Sequence, residues 1–287
     1  MGRHRHPRRK VPRVLVASLL SVLGLMGFVA LIVVVGVPAL GRGDAAQQAT
    51  VRSPSKVPVA WAMIPSTPLT AATFAGIPAV GALFSADGGR LTQHFCTASV
   101  VDSPTGNLLI TAAHCVSGSV HTQHLVFVPG LHDDVQPYGV WSVTKVTVDA
   151  MWSSSADPDH DVAFLTVQRD GTAARIQDFT GANKLGMGKP SGVVRVVGYP
   201  NDQGAPIRCQ NQAGTFSARQ QEFDCKDYGD GTSGGPFVAD ATSSNGNGTV
   251  VGVIGGHDTG GLTPDVSYSI IFGKETKALY NTAVSQS

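Results

Sequence analysis

Three short strings place a histidine, a carboxylate and a serine where each could take part in nucleophilic catalysis. In LLITAAHCV an apolar strand, Leu108 to Thr111, ends in two small alanines and delivers His114 beside Cys115. Small residues let the backbone pack closely, and a disulfide at the next position would hold the anchor of the imidazole. A general base needs that rigidity, since a displacement near 1 Å costs on the order of a hundredfold in rate. In DHDVAFLTV the cluster Asp157, Asp159, His160 and Asp161 runs straight into an apolar strand, Val162 to Val167. A carboxylate at the mouth of a buried strand can accept a histidine Nδ1 proton, fix the tautomer and stabilise the imidazolium. Asp161, which adjoins the strand, suits that role better than Asp157 or Asp159, whose ordinary work is turn formation. In DYGDGTSGGPF, Ser233 is flanked by Gly231, Gly234 and Gly235, so the backbone there can take conformations that a Cβ forbids. The amides of Gly231 and Ser233, with Thr232 between, could point at one spot and hold an oxyanion. Taken singly, each string also reads as a structural histidine, a solvated loop or a plain glycine turn; it is their combination that carries chemistry.

The elements that must position these residues are short. Runs rich in β-branched residues, separated by turn residues, recur at Ala79 to Phe84, Phe95 to Val101, Leu108 to Thr111, Leu125 to Val128, Val140 to Val148, Val162 to Val167, Val193 to Val197, Phe237 to Ala239, Val250 to Ile254 and Tyr268 to Phe272. Strands at such spacing, with no long amphipathic helix between them, argue for antiparallel barrels or a sandwich. Lys274 to Asn281 reads as a short C-terminal helix. The stretch Asp170 to Lys189, poor in strand signal, reads as the crossing between two halves.

Composition narrows the function classes. The formal net charge is +1, yet Arg3, Arg5, Arg8, Arg9, Lys10 and Arg13 all precede residue 14, and every acidic residue follows Arg42. From residue 44 onward 14 basic residues face 20 acidic ones, a net of −6. A folded part of that sign lacks the basic field that supplies most nucleic-acid affinity, so no nucleic-acid partner is expected. Residues 14–41 carry no charge over 28 positions, long enough to cross about 30 Å of hydrocarbon. With the basic segment 1–13 held in the cytoplasm, this stretch reads as a retained signal anchor or a cleaved signal peptide, and the chain beyond Gly41 as exported and extracellular. A membrane partner is expected only if the segment is kept. Residues 42–76, rich in Ala, Pro, Ser and Thr, read as a stalk or pro-segment, and 77–287 as one β-rich domain.

In an oxidising compartment an even number of cysteines implies disulfides, and Cys96 with Cys115 and Cys209 with Cys225 close loops of 19 and 16 residues. A zinc site is the competing reading, since His94, Cys96, His114, Cys115, His121 and His124 crowd one stretch, but no C-x-x-C pair or H-E-x-x-H helix is present.

The strings TAAHC, DVAFL and GTSGGP, in that order and 47 and 72 residues apart, resemble the trypsin-like (chymotrypsin-fold) serine proteases. The likeness extends over about Val80 to Tyr280, and the short two-disulfide domain is most similar to the bacterial secreted V8-like and streptogrisin-like branches. HFCTASVV resembles the strand whose cysteine pairs with the one after the histidine. The resemblance implies an all-β fold of two six-stranded antiparallel barrels with a short C-terminal helix, His114 and Asp161 coming from the first barrel and Ser233 from the second. It implies a serine endopeptidase acting on protein or peptide substrates through an acyl-enzyme, with no metal or organic cofactor. Thr232 stands where the animal enzymes carry the aspartate that receives a new N-terminal ammonium, so that activation switch is not expected.

For specificity the resemblance points two ways. Asp227, six residues before Ser233, takes the place that favours Arg or Lys at the cleaved bond, with Tyr228 beside it. VVGVIGGH is similar to the strand that lines the substrate backbone, through Gly255 and Gly256, and His257 at its end resembles the pocket histidine of glutamate-specific relatives. Two other readings remain: an exported binding protein on a silenced protease fold, and an acyl hydrolase of other architecture, which the order histidine, aspartate, serine disfavours.

Overall fold

The computed structural model describes residues 69–118, 124–242 and 245–287. Segments 1–13 and 14–41, residues 42–68 of the expected stalk, and His121 lie outside them. Among the described residues no helix is long and apolar enough to cross a membrane.

The first half is a closed barrel. Its strands are β1 (Val80–Asp87), β2 (Cys96–Val101), β3 (Leu108–Thr111), β4 (Leu125–Pro129), β5 (Trp141–Val148) and β6 (Ala163–Gln168). They pair antiparallel in the order β1-β2-β3-β6-β5-β4, and β4 returns to β1 through Gly81 with Pro129 to Ser85 with Leu125. Strands β2, β3 and β4 are buried at every residue, one face filling the barrel and the other lying under the rest of the molecule. Strands β3 and β4 accordingly read as nearly unbroken apolar runs, whereas β2, CTASVV, also buries Thr97 and Ser99.

The second half contributes β7 (Val193–Gly198), β8 (Ile207–Gln212), β9 (Gln220–Asp224), β10 (Pro236–Ala239), β11 (Thr249–Val253) and β12 (Val266–Ile270). The number of main strands is the expected six, but their hydrogen bonds do not run round one closed barrel. Strands β8-β7-β10-β11 form one sheet and β9-β12 belong to another. The seams between them are closed by other means. On one side stand the Cys209–Cys225 disulfide and Asn211 Nδ2, which donates to Asp224 O. On the other, Val253 N donates to Ser269 Oγ and Gly255 N to Tyr268 O.

The crossing segment stitches the halves together. After a one-turn helix, α1 (Ile176–Thr180), Asn183 exchanges main-chain bonds with Val100 and Asp102, donates from Nδ2 to Ser99 Oγ, and accepts from Gly248 N on Oδ1. The C-terminal helix, α2 (Lys274–Ser285), crosses back to the first barrel. Leu279 and Ala283 are buried there, and Tyr280 meets the Phe164 ring edge-on and donates its hydroxyl to Asp102 O.

The folded unit begins earlier than composition suggests. Ala72 and Thr73 pair with Arg208 and Ile207, and Ala71 N donates to Lys226 O. Ala72–Thr73 therefore forms an added edge strand on β8, although the surrounding TAATF lacks strand periodicity; besides the main-chain bonds, Arg208 lies over the Phe74 ring.

Candidate active site

Strand β3 runs into Ala112 and Ala113, both fully buried, and presents His114 at the surface of the barrel. His114 Nδ1 lies 2.7 Å from Asp161 Oδ2, and its main-chain N–H donates to Asp161 Oδ1 at 2.9 Å. A third donor, Gly256 N, reaches Oδ2 at 2.8 Å. Asp161 is wholly buried, and an unsatisfied carboxylate in such a place costs several kcal/mol, roughly, so these N–H groups replace the lost water. With the Nδ1 proton directed at the carboxylate, Nε2 carries the lone pair. Among the described residues its hydrogen-bond contact is Cys115 Sγ at 3.8 Å, a disulfide sulfur with no proton to give, and no hydrogen bond joins it to Ser233.

The other carboxylates of the DHD string serve structure. Asp157 caps the turn Pro158–His160 by accepting from Asp159 N, Asp159 accepts from Gln220 Nε2 and pairs with Arg219, and His160 pairs with Asp149. Only Asp161 meets a histidine that stands at the end of another strand.

Ser233 sits in a turn wedged between the halves. Its carbonyl accepts from Thr97 N at 2.7 Å, Gly234 N donates to Ile254 O and Gly235 N to Thr232 O. The glycines are required. Gly231 has φ +93° and a Cβ there would lie 2.5 Å from Tyr199 O; Gly234 has φ +79° and its Cβ would lie 2.1 Å from Thr111 Oγ1. Among the described residues the Gly231 and Ser233 amides have no protein acceptor, and two adjacent uncommitted donors are what a developing oxyanion needs. GTSGG also satisfies the G-x-S-x-G pattern of the α/β-hydrolase elbow, but here it leads into a strand, β10, and not into a helix.

Beside Ser233 opens a cavity of about 290 Å³, walled by Tyr228, Thr232, Ile254, Thr259 and the loop from Gly260 to Pro264. Neither Asp227 nor His257 lines it. Asp227 has φ +77° and an exposed side chain. The His257 ring stacks on Phe216 at 4.5 Å, meets Tyr268 at 4.9 Å, and turns Nε2 to Asp258. Tyr228 forms part of the wall with its hydroxyl donating away, to Val196 O at 2.8 Å, and burial pushes its phenol well above the usual range. Gly255 packs against Asp161 and Ala112. The carboxylate in the lining is Asp230, which is exposed.

The disulfides Cys96–Cys115 and Cys209–Cys225 are both formed. Cys96, His114 and Cys115 do bring three potential ligand atoms within 4.8 Å, but the two sulfurs are bonded to each other, which removes the thiolates a zinc site uses. His94 Nε2 is engaged with Pro200 O.

Sequence patterns missed three participants. Gly256 as a donor to Asp161, Gln220, whose side chain bridges Asp159 and His257 N, and Thr97 beneath the serine turn are all set by contacts between distant segments.

The family model for Trypsin matches residues 71–270. The chain belongs to the trypsin family. Solved trypsin-like structures agree in fold. The protease Anisep from Arthrobacter nicotinovorans is 22% identical with a TM-score of 0.62, covering 74% of this chain and 98% of its own. The thermostable serine protease AL20 from an extremophilic microorganism is 25% identical with a TM-score of 0.61, covering 73% and 98%. A Glu endopeptidase in complex with MPD is 16% identical with a TM-score of 0.58, covering 76% and 98%. No curated protein sequence matches. This trypsin-family chain is thus a serine endopeptidase by class, with the mostly β fold of that class.

Proposed function

We propose that Ser233 is the nucleophile of a peptide-bond hydrolase, with His114 as its general base, Asp161 as the orienting carboxylate and the amides of Gly231 and Ser233 as the oxyanion donors. The observation that carries this reading is the pairing of His114 Nδ1 with Asp161 Oδ2 at 2.7 Å, which fixes the tautomer whose Nε2 can take a proton.

In the first step the Ser233 hydroxyl adds to the peptide carbonyl as its proton passes to His114 Nε2. The carbonyl oxygen becomes an anion, held by the two amides; one such donor is worth on the order of a hundredfold to a thousandfold in kcat. The imidazolium, steadied by Asp161, then protonates the leaving amine, and water activated by the same histidine releases the acyl group. The residue before the cleaved bond enters the cavity walled by Tyr228 and Ile254. Substrates are proteins or peptides outside the cytoplasm, consistent with the two disulfides and the uncharged 28-residue stretch 14–41 behind a basic cluster.

Ser233→Ala tests the reading. The variant is expected to keep the fold while losing nearly all turnover and all labelling by a fluorophosphonate; equal turnover by variant and wild type would refute it. N-terminal sequencing of the natural protein, with its partition between membrane and medium, tests the export step and separates anchor from cleaved signal.

A further inference from the structure

Gly231 and Ser233 present the two uncommitted amides, and the main-chain carbonyls of both residues are held by a single residue of the opposite half. Thr97, on β2, donates its amide to Ser233 O at 2.7 Å and its hydroxyl to Gly231 O at 2.9 Å. Thr97 is itself fixed. Its carbonyl accepts from Thr111 Oγ1 at 2.8 Å, and its hydroxyl oxygen accepts from Tyr199 N at 2.9 Å. The side chain is wholly buried, so no water competes for these bonds. Thr97 also follows Cys96, whose disulfide holds Cys115 next to His114.

We propose that Thr97 is a positioning residue for the oxyanion site, its hydroxyl holding the Gly231–Thr232 peptide in the one orientation that lets both amides face the same point. This rests on the role assigned above to those amides. The need for such a restraint comes from residue 231. A glycine at φ +93° has access to conformations closed to other residues, and the Gly231–Thr232 peptide lies between the two peptides that carry the donors, so its rotation would shift the Ser233 amide relative to the Gly231 amide, whose own peptide is held by Asn201 N donating to Asp230 O. The hydroxyl is the only side-chain group that takes the Gly231 carbonyl among the described residues. A β-branched hydroxyl residue suits the place, because Thr fits a strand and its Oγ1 can accept from Tyr199 N while donating to Gly231 O.

The test compares three full-length variants. Thr97→Val keeps the shape and removes the hydroxyl, Thr97→Ala removes it and leaves room, and Thr97→Ser keeps it. With a peptide substrate, Val and Ala are expected to lose about 10- to 100-fold in kcat with KM changed less than about threefold, since the loss falls on the transition state. Affinity for a peptidyl trifluoromethyl ketone, which forms a tetrahedral oxyanion, is expected to fall by the same factor. Thr97→Ser is expected to recover to within about fivefold of the wild type. Three outcomes overturn the proposal. One is kcat for Val and Ala within threefold of wild type. Another is loss of kcat without loss of trifluoromethyl ketone affinity. The third is failure of both hydroxyl-less variants to fold, by near-ultraviolet circular dichroism, where Thr97→Ser folds, which would assign the hydroxyl to stability. Failure of the underlying catalytic reading shows differently, as a wild type that neither turns over peptide nor takes the fluorophosphonate.

Discussion

Asp161 Oδ2 receives donors from both halves of the molecule: His114 Nδ1 at 2.7 Å from the first barrel and the Gly256 amide at 2.8 Å from the segment after β11. The aspartate therefore does more than aim one imidazole. It ties the segment after β11 to the imidazole of His114, so movement of that segment would disturb the tautomer. Asp161→Asn leaves shape and volume nearly unchanged but turns an N–H toward at least one of these donors. The imidazole then settles in the tautomer with its proton on Nε2, and Ser233 has no acceptor. Loss of kcat on the order of 10³- to 10⁴-fold is expected, measured on a peptide substrate, with near-ultraviolet circular dichroism unchanged. A loss under tenfold would contradict this coupling.

Gly234 makes a sharper test of packing than of chemistry. Its φ of +79° disfavours a side chain, and a Cβ would lie 2.1 Å from Thr111 Oγ1 and 2.2 Å from Thr97 O, neither of which can retreat in a buried strand pair. Gly234→Ala is expected to lower stability by roughly 2 to 4 kcal/mol and the unfolding temperature by roughly 5 to 15 °C. Gly192→Ala is the control, since nothing lies within 4 Å of its Cβ position, and its melting temperature should match the wild type. Equal melting of the two variants would show that the turn yields to a methyl group.

The contrast between what the sequence showed and what it hid comes from how each residue is positioned. The ten runs each overlap a strand, and burial of β3 and β4 at every residue leaves a nearly continuous hydrophobic signature there. Strands β8 and β9, IRCQNQ and QQEFD, carried little signal because they bury only Ile207, Cys209, Phe223 and two glutamines between solvent-facing polar groups. His114, Asp161 and Ser233 could be picked out as candidates because each stands in a distinctive local string: small residues, a strand mouth, a glycine turn. Thr97 and Gly256 were not, because their roles come from partners more than 90 residues away in the chain. Asp227 and His257 lie outside the lining of the cavity beside Ser233 for a related reason. A side chain's direction is set by local backbone, and at φ +77° the Asp227 carboxylate leaves the cavity, while ring stacking on Phe216 takes His257 out of it.

That placement bears on the cleaved bond. The cavity beside Ser233 has Tyr228, Ile254 and threonines in its wall, and its carboxylate, Asp230, is exposed to water. In water a charge pair near 4 Å is worth only about 1 kcal/mol, so Asp230 weakly favours a basic side chain and disfavours an acidic one to the same small degree. A peptide-library digest read by mass spectrometry is expected to show cleavage chiefly after uncharged residues, Lys and Arg within about tenfold of them, and Asp and Glu poorest. Asp230→Asn should narrow the gap between Lys and Glu, whereas Asp227→Asn and His257→Ala should leave it within about threefold. Strict cleavage after Glu, or after Arg and Lys, would mean that the cavity is not where that residue binds.

Two buried phenols give the fold a pH dependence of calculable sign. Tyr199 donates to Val80 O at 3.2 Å and Tyr228 to Val196 O at 2.8 Å, and burial pushes both well above the ordinary value of 10.0. Their contribution is fully present below pH 10. Above it the unfolded chain releases both phenolic protons while the folded chain keeps them, so the unfolded state binds fewer protons and stability falls as pH rises, by about 1.4 kcal/mol per unit for each tyrosine. Urea midpoints at pH 8, 10 and 11 are expected to fall slightly between the first two, since the unfolded phenols are half ionised at pH 10, and to drop further at the last. Tyr228→Phe, which removes one of the two protons, should shrink the drop between pH 10 and 11 while lowering stability at pH 8 through the unpaired Val196 carbonyl. An equal drop in variant and wild type would place that phenol in contact with water and remove Tyr228 from the cavity's rigid wall.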